Sequence, residues 1–143
     1  MKIKSGFLVC CAIFFLSCNS ENSNQEQKSY KETKNALLKK EERDPAAFIT
    51  VNGNSRKNIV GQTVVNGTLV NKASVATYKD VNLQLSFYSK TRALLETDKE
   101  TIYQILNPGD AQDFKTKYFA PKGTDSVGLK VLGAKVIEQS SQQ

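Results

Sequence analysis

The chain has 143 residues, with 20 basic and 14 acidic side chains and a formal charge of +6. It has three cysteines and neither histidine nor tryptophan. That length allows one domain plus attachments, and the lack of histidine excludes imidazole metal sites and His-assisted nucleophiles.

The first segment, residues 1–17, reads as a targeting signal. Lys2 and Lys4 precede an unbroken apolar run from Phe7 to Leu16. Such a run suits a signal-peptide core and is too short for a stable bilayer-spanning helix. It ends in Ser17-Cys18, and polar Asn19, Ser20, Glu21 and Asn22 follow at once. A small residue and then a cysteine at this place resemble the lipobox of bacterial lipoproteins. Phe15 stands where leucine is usual, and Leu16 follows it. The resemblance implies cleavage before Cys18, a lipid on its sulfur and attachment to a membrane. Asn19 is not the aspartate that holds such proteins at the inner membrane, so the expected location is the outer membrane of a Gram-negative bacterium. Cys10 and Cys11 leave with the signal, so the mature domain has neither free thiol nor disulfide. Losing Lys2 and Lys4 leaves 18 basic residues against 14 acidic ones, a charge of +4.

Residues 18–45 carry the lipidated cysteine and a polar tether rich in Asn, Ser, Gln, Glu and Lys. This composition buries too little surface to offset the entropy of ordering. The expectation is a flexible coil of roughly 30 Å reach, with a short helix at Lys34–Arg43 ended by Asp44-Pro45.

From residue 46 to 137 the pattern changes to period two. Val81, Leu83, Leu85 and Phe87 alternate with Asn82, Gln84, Ser86 and Tyr88, which marks a strand with one buried face. Val127, Leu129 and Val131 begin another that runs on to Ile137. Shorter β-rich runs lie at Phe48–Val51, Thr63–Val70 and Thr101–Leu106, with a weaker one around Phe114. Asn107-Pro108-Gly109-Asp110 fits a type II turn, Pro121–Asp125 a second loop, and Asn52-Gly53 a hairpin closure. The fold class expected is all-β: a sandwich of about seven strands. Val64, Leu69, Val81, Leu83, Leu85, Phe87, Ile102, Phe114, Val127, Leu129 and Val131 would supply the core. Residues 138–143 read as a frayed tail.

Groups that could carry chemistry are few. There is no Gly-x-Ser-x-Gly elbow and no glycine-rich phosphate loop. Glu96, Asp98 and Glu100 would share one face of a strand, as paired carboxylates or Ca²⁺ ligands do, but the plainer reading is a solvated connection between strands. No catalytic residue, metal or cofactor is expected. Tyr78-Lys79-Asp80, at the mouth of the strongest strand, is a candidate contact patch or a strand-entry turn. With Asn107, Pro108 and Gly109 it forms the set of candidate partner contacts. Lys72–Thr77, Asn107–Asp110 and Pro121–Asp125 are the candidate contact loops. Asn66-Gly67-Thr68 matches an N-glycosylation sequon, and Asp125-Ser126-Val127 resembles a bacterial O-glycosylation motif. Basic residues are scattered along the chain without interleaved aromatics, so nucleic acid is not an expected partner.

Gly67-Thr-Leu-Val-Asn71, then Tyr78-Lys-Asp-Val81 through Phe87-Tyr88, then Asn107-Pro-Gly109 and Phe114, resemble the FxLYD-type immunoglobulin-like domains of bacterial lipoproteins. Ser89 and Thr91-Arg92 depart from that pattern at a turn. The resemblance implies that Gly67 lies inside a strand rather than in a hairpin. It also implies a non-catalytic envelope module that meets a protein or glycan partner. A small-ligand, glycan or lipid binder is the alternative, and it would need a concave apolar pocket.

Overall fold

The computed structural model describes residues 21–137, with side chains from residue 26 onward. The signal expected at 1–17, the lipidation expected at Cys18 and the tail expected at 138–143 lie outside the described residues. Helix α1 spans Glu21–Arg43 and one-turn helix α2 spans Pro45–Phe48. Six strands follow: β1 (Ile49–Lys57), β2 (Thr63–Asn71), β3 (Thr77–Ser89), β4 (Leu94–Ile102), β5 (Ala111–Tyr118) and β6 (Thr124–Ile137).

Two antiparallel sheets form, in the orders β1-β2-β5 and β4-β3-β6. The fold is an all-β sandwich of six strands. Its order corresponds to A-B-E facing C′-C-F in immunoglobulin-type sandwiches. The alternating strand β3 is central to its sheet, and Val81, Leu83, Leu85 and Phe87 are each at most 2% exposed. From the facing sheet Val65, Leu69 and Phe114 join them. Each such side chain contributes about 1.5–3 kcal/mol by leaving water, and with no cysteine after Cys18 this burial takes the place of disulfides.

Gly67 sits in β2, opposite Gly53 of β1 and Phe114 of β5. A Cβ there would come within 2.6 Å of Phe114 Cζ. The bare backbone of Gly67 is therefore the seat of the Phe114 ring, which explains a glycine inside a strand.

Several expectations are corrected. Val64 is buried but faces away from Val65 and Leu69, because neighbours alternate across a strand; its register partners are Arg56 and Lys117. Asn52 and Gly53 lie within β1, and the hairpin closes through Asn58–Gln62 instead, where Asn58 N donates to Gln62 O at 2.9 Å. β4 occupies Leu94–Ile102 rather than 101–106, and Leu106 makes only an isolated bridge to Tyr78. Glu96, Asp98 and Glu100 thus belong to a strand, not to a connection.

The tether is also different from the flexible coil expected of it. α1 is a 23-residue helix, about 35 Å long. Lys, Glu, Gln, Ala and Leu are good helix formers, and tertiary contacts near its C-terminus supply what a polar helix alone lacks.

Strand register defines the two ends of the sandwich. Lys57, Thr63 and Tyr118 align in one sheet, and Ser89 with Thr124 in the other. Loops 58–62, 90–93 and 119–123 therefore share one end, the far end. Loops 72–76 and 103–110 share the opposite end with α1 and α2, the arm end.

Candidate functional site

The arm end gathers most of the residues singled out from the sequence. Asn71, the last residue of β2, is fully buried. Its Nδ2 donates to Ala76 O at 2.9 Å and Leu106 O at 3.0 Å, and its Oδ1 accepts from Ala73 N at 2.8 Å. Its backbone pairs with the next loop: Asn71 N donates to Asp110 O at 2.9 Å, and Gly109 N donates to Asn71 O at 3.0 Å. One asparagine thus satisfies the buried polar backbone of two loops at once.

Asn107–Asp110 is the turn expected. Asp110 N donates to Asn107 O at 3.0 Å, and Gly109 has φ of 82°, the left-handed value that position requires. Asp110 Oδ2 accepts from Asn107 N at 3.0 Å and from Asn107 Nδ2 at 2.9 Å. Asn107 and Gly109 are exposed and Pro108 is half-buried.

Tyr78, a candidate contact, lies in the core and not on the surface. It is 0% exposed, and its Oη donates to the backbone carbonyl of Glu41 at 3.1 Å. Burial, with the charges of Glu41 and Asp44 nearby, pushes its phenol up to about 12. Lys79 is exposed. Asp80 is half-buried with φ of 50° at an irregularity of β3, and accepts from Lys135 Nζ at 2.9 Å. The three neighbours therefore split: one is core, one is surface, one shapes a bulge.

Glu41 is the residue that sequence reasoning missed. It lies in the last turn of α1, where the helix dipole disfavours a carboxylate, and yet it is only 2% exposed. Its Oε1 accepts from Ser74 N at 2.7 Å, and its Oε2 accepts from Val75 N at 3.0 Å and Ala76 N at 2.7 Å. Three consecutive backbone N–H groups form an anion-binding concavity, and the chain fills it with its own carboxylate. Leu38, one turn earlier, packs against the core. The signal in sequence was faint: Tyr30, Leu37, Leu38 and Glu41 recur at helical spacing on a helix otherwise polar. Between this stripe and the loops lies an open hollow of about 380 Å³, lined by Tyr30, Lys34, Leu37, Ser74, Val75 and Pro108 among others.

Glu96, Asp98 and Glu100 lie opposite Phe87, Leu85 and Leu83 of β3, so they line the open side of the sandwich at an edge strand. Glu100 Oε2 accepts from Tyr118 Oη of the facing sheet at 2.9 Å. Burial, with Glu100 adding to it, pushes the Tyr118 phenol up. Charges pointing inward along an edge discourage a further strand from pairing there.

Among the described residues, no group of three or more His, Cys, Asp or Glu converges as metal ligands do, and no helix is long and apolar enough to cross a membrane. Pro121 is half-buried and Ser126 exposed, both at or near the far end. Comparison with protein-family models, with curated proteins and with solved structures gives no match to this chain.

Proposed function

We propose that this chain is a lipid-anchored protein of a Gram-negative outer membrane whose sandwich serves as a non-catalytic interaction or structural module. One observation carries the reading: the apolar run of residues 7–16 ends in Ser17-Cys18 and gives way at once to polar residues. A diacylated or triacylated cysteine supplies two or more chains, which is what stable anchoring takes. The fold is compatible with export. Its described part holds together by burial rather than by cysteines, and its acids serve as hydrogen-bond acceptors for the loops and as edge charges. α1 then acts as a docked spacer between the lipid and the sandwich, setting how the domain is presented to an envelope protein or glycan.

Fractionation of cell envelopes tests this reading. The wild-type chain is expected in the outer membrane, resistant to a high-salt wash, and the Cys18→Ser variant is expected to lose that location. Equal retention of the two would refute anchoring through Cys18.

A further inference from the structure

We propose that the far end of the sandwich binds the surface of an anionic phospholipid bilayer. Three loops that are distant in sequence meet there, at 58–62, 90–93 and 119–123. With their flanking strand residues they carry Arg56, Lys57, Lys90, Arg92, Lys117 and Lys122, all exposed, against one exposed acid, Asp125. The one ion pair among the described residues is Lys135–Asp80, so none of these six charges is spent on a carboxylate.

Apolar side chains project from the same end. Ile59 is 104% exposed, Val60 67% and Phe119 83%. Burial cannot explain them, and they come from two separate loops. The 58–62 turn is held in shape by its own bonds: Asn58 Oδ1 accepts from Val60 N at 3.1 Å and from Gln62 N at 2.9 Å. Ile59 and Val60 are thus displayed on a pre-ordered tip, which lowers the entropy cost of inserting them.

The 90–93 turn adds an independent observation. Arg92 has φ of 61°, a left-handed conformation that glycine adopts without strain. Ser89 Oγ accepts from Ala93 N at 3.2 Å, and Arg92 N donates to Ser89 O at 2.9 Å, so the turn is built around this residue. A strained position held by a cation where glycine would be easier points to a use for the charge.

Protruding aliphatic and aromatic tips ringed by cations match a bilayer interface. The tips enter the acyl boundary while the ring meets headgroup phosphates. A nucleic acid or an acidic protein surface would use the ring and leave the tips in water. The surface does not depend on a lipid at Cys18, and its test omits that lipid.

The test is flotation of residues 18–143 bearing Cys18→Ser, which contain every element of the described fold. Vesicles are phosphatidylcholine with phosphatidylglycerol at a 70:30 ratio, or phosphatidylcholine alone. Binding is expected to be at least about tenfold stronger to the anionic vesicles and to fall as salt rises. The pair Lys90→Glu/Arg92→Glu and the pair Ile59→Ser/Phe119→Ser should each lower it by about tenfold or more. Lys72→Glu, at the arm end, should leave it unchanged. Arg92→Gly should bind more weakly while unfolding at a higher temperature, so its loss of binding cannot come from misfolding. Equal binding to both vesicle types, no binding to either, or no effect of the apolar pair overturns the proposal. The last result would mean that the end recognises anions by charge alone, as a nucleic acid or an acidic protein requires.

Discussion

Glu41 Oε2 accepts the backbone N–H of Ala76 at 2.7 Å, joining residues 35 apart in the chain. With Ser74 and Val75 on the same carboxylate, this contact fastens the helical arm to the sandwich.

Glu41→Ala leaves three N–H groups without their acceptor, those of exposed Ser74, half-buried Val75 and buried Ala76. The expected cost is on the order of 2–4 kcal/mol by chemical denaturation. Amide exchange at residues 74–76 should accelerate, and protease should cut within α1 sooner than in the wild type. Glu41→Gln keeps one acceptor oxygen and should fall between the two. Unchanged protection at 74–76 in Glu41→Ala would mean that the arm is held by other contacts.

Gly67→Ala should be the most damaging alanine substitution at any glycine of β2 or the turns. The new methyl meets the Phe114 ring at 2.6 Å and Asn52 O at 2.8 Å. A loss of about 2–3 kcal/mol is expected from overpacking. Gly61→Ala meets nothing within 4 Å but holds φ of 80°, so about 1 kcal/mol from strain is expected there. Denaturant midpoints of the two variants check the order.

Asn71→Asp keeps shape and loses both side-chain donations, to Ala76 O and Leu106 O. It sets a carboxylate against two carbonyls in a buried place. A loss of about 3 kcal/mol or more is expected at neutral pH, eased on acidification, because a protonated carboxyl can donate one of the two bonds. Stability measured at pH 4 and pH 7 distinguishes this from Asn71→Ala, which should show no such pH dependence.

Alkaline stability follows from Tyr78. Its phenol is raised from 10.0 to about 12 in the folded chain, so the folded state favours the neutral form. That stabilisation is whole below pH 10 and is lost as pH rises through about 12. Roughly 2–3 kcal/mol is at stake. Tyr78→Phe should be less stable than wild type at neutral pH, by about 1 kcal/mol for the lost bond to Glu41 O. It should also lose part of the alkaline sensitivity. An identical pH profile in both proteins would contradict the role given to this hydroxyl.

The sandwich was legible in the sequence because Val81, Leu83, Leu85 and Phe87 state their period without interruption. Gly109 showed its turn for the same reason, since few residues other than glycine take its conformation. β4 was harder. Its residues Glu96–Lys99 are exposed and polar, so an edge strand looked like a solvated connection. Val64 was misplaced because a run of valines hides which neighbour faces in. Glu41 was faint as a site: its spacing from Tyr30, Leu37 and Leu38 was the one signal, a glutamate among lysines on a helix reads as solubility, and its partners are backbone N–H groups, whose place side-chain chemistry does not announce. The far end was invisible for another reason. Arg56, Lys90 and Lys122 are scattered in sequence, and only the strand register brings them to one end.

Anchoring as proposed requires a lipid on the sulfur of Cys18 at the start of the mature chain. Intact mass and N-terminal peptide spectrometry of the protein purified from membranes tests it most directly. The expected result is a chain that begins at Cys18 and carries the added mass of two or three acyl chains on that residue. A chain still bearing residues 1–17, or one with a free thiol at Cys18, would contradict it.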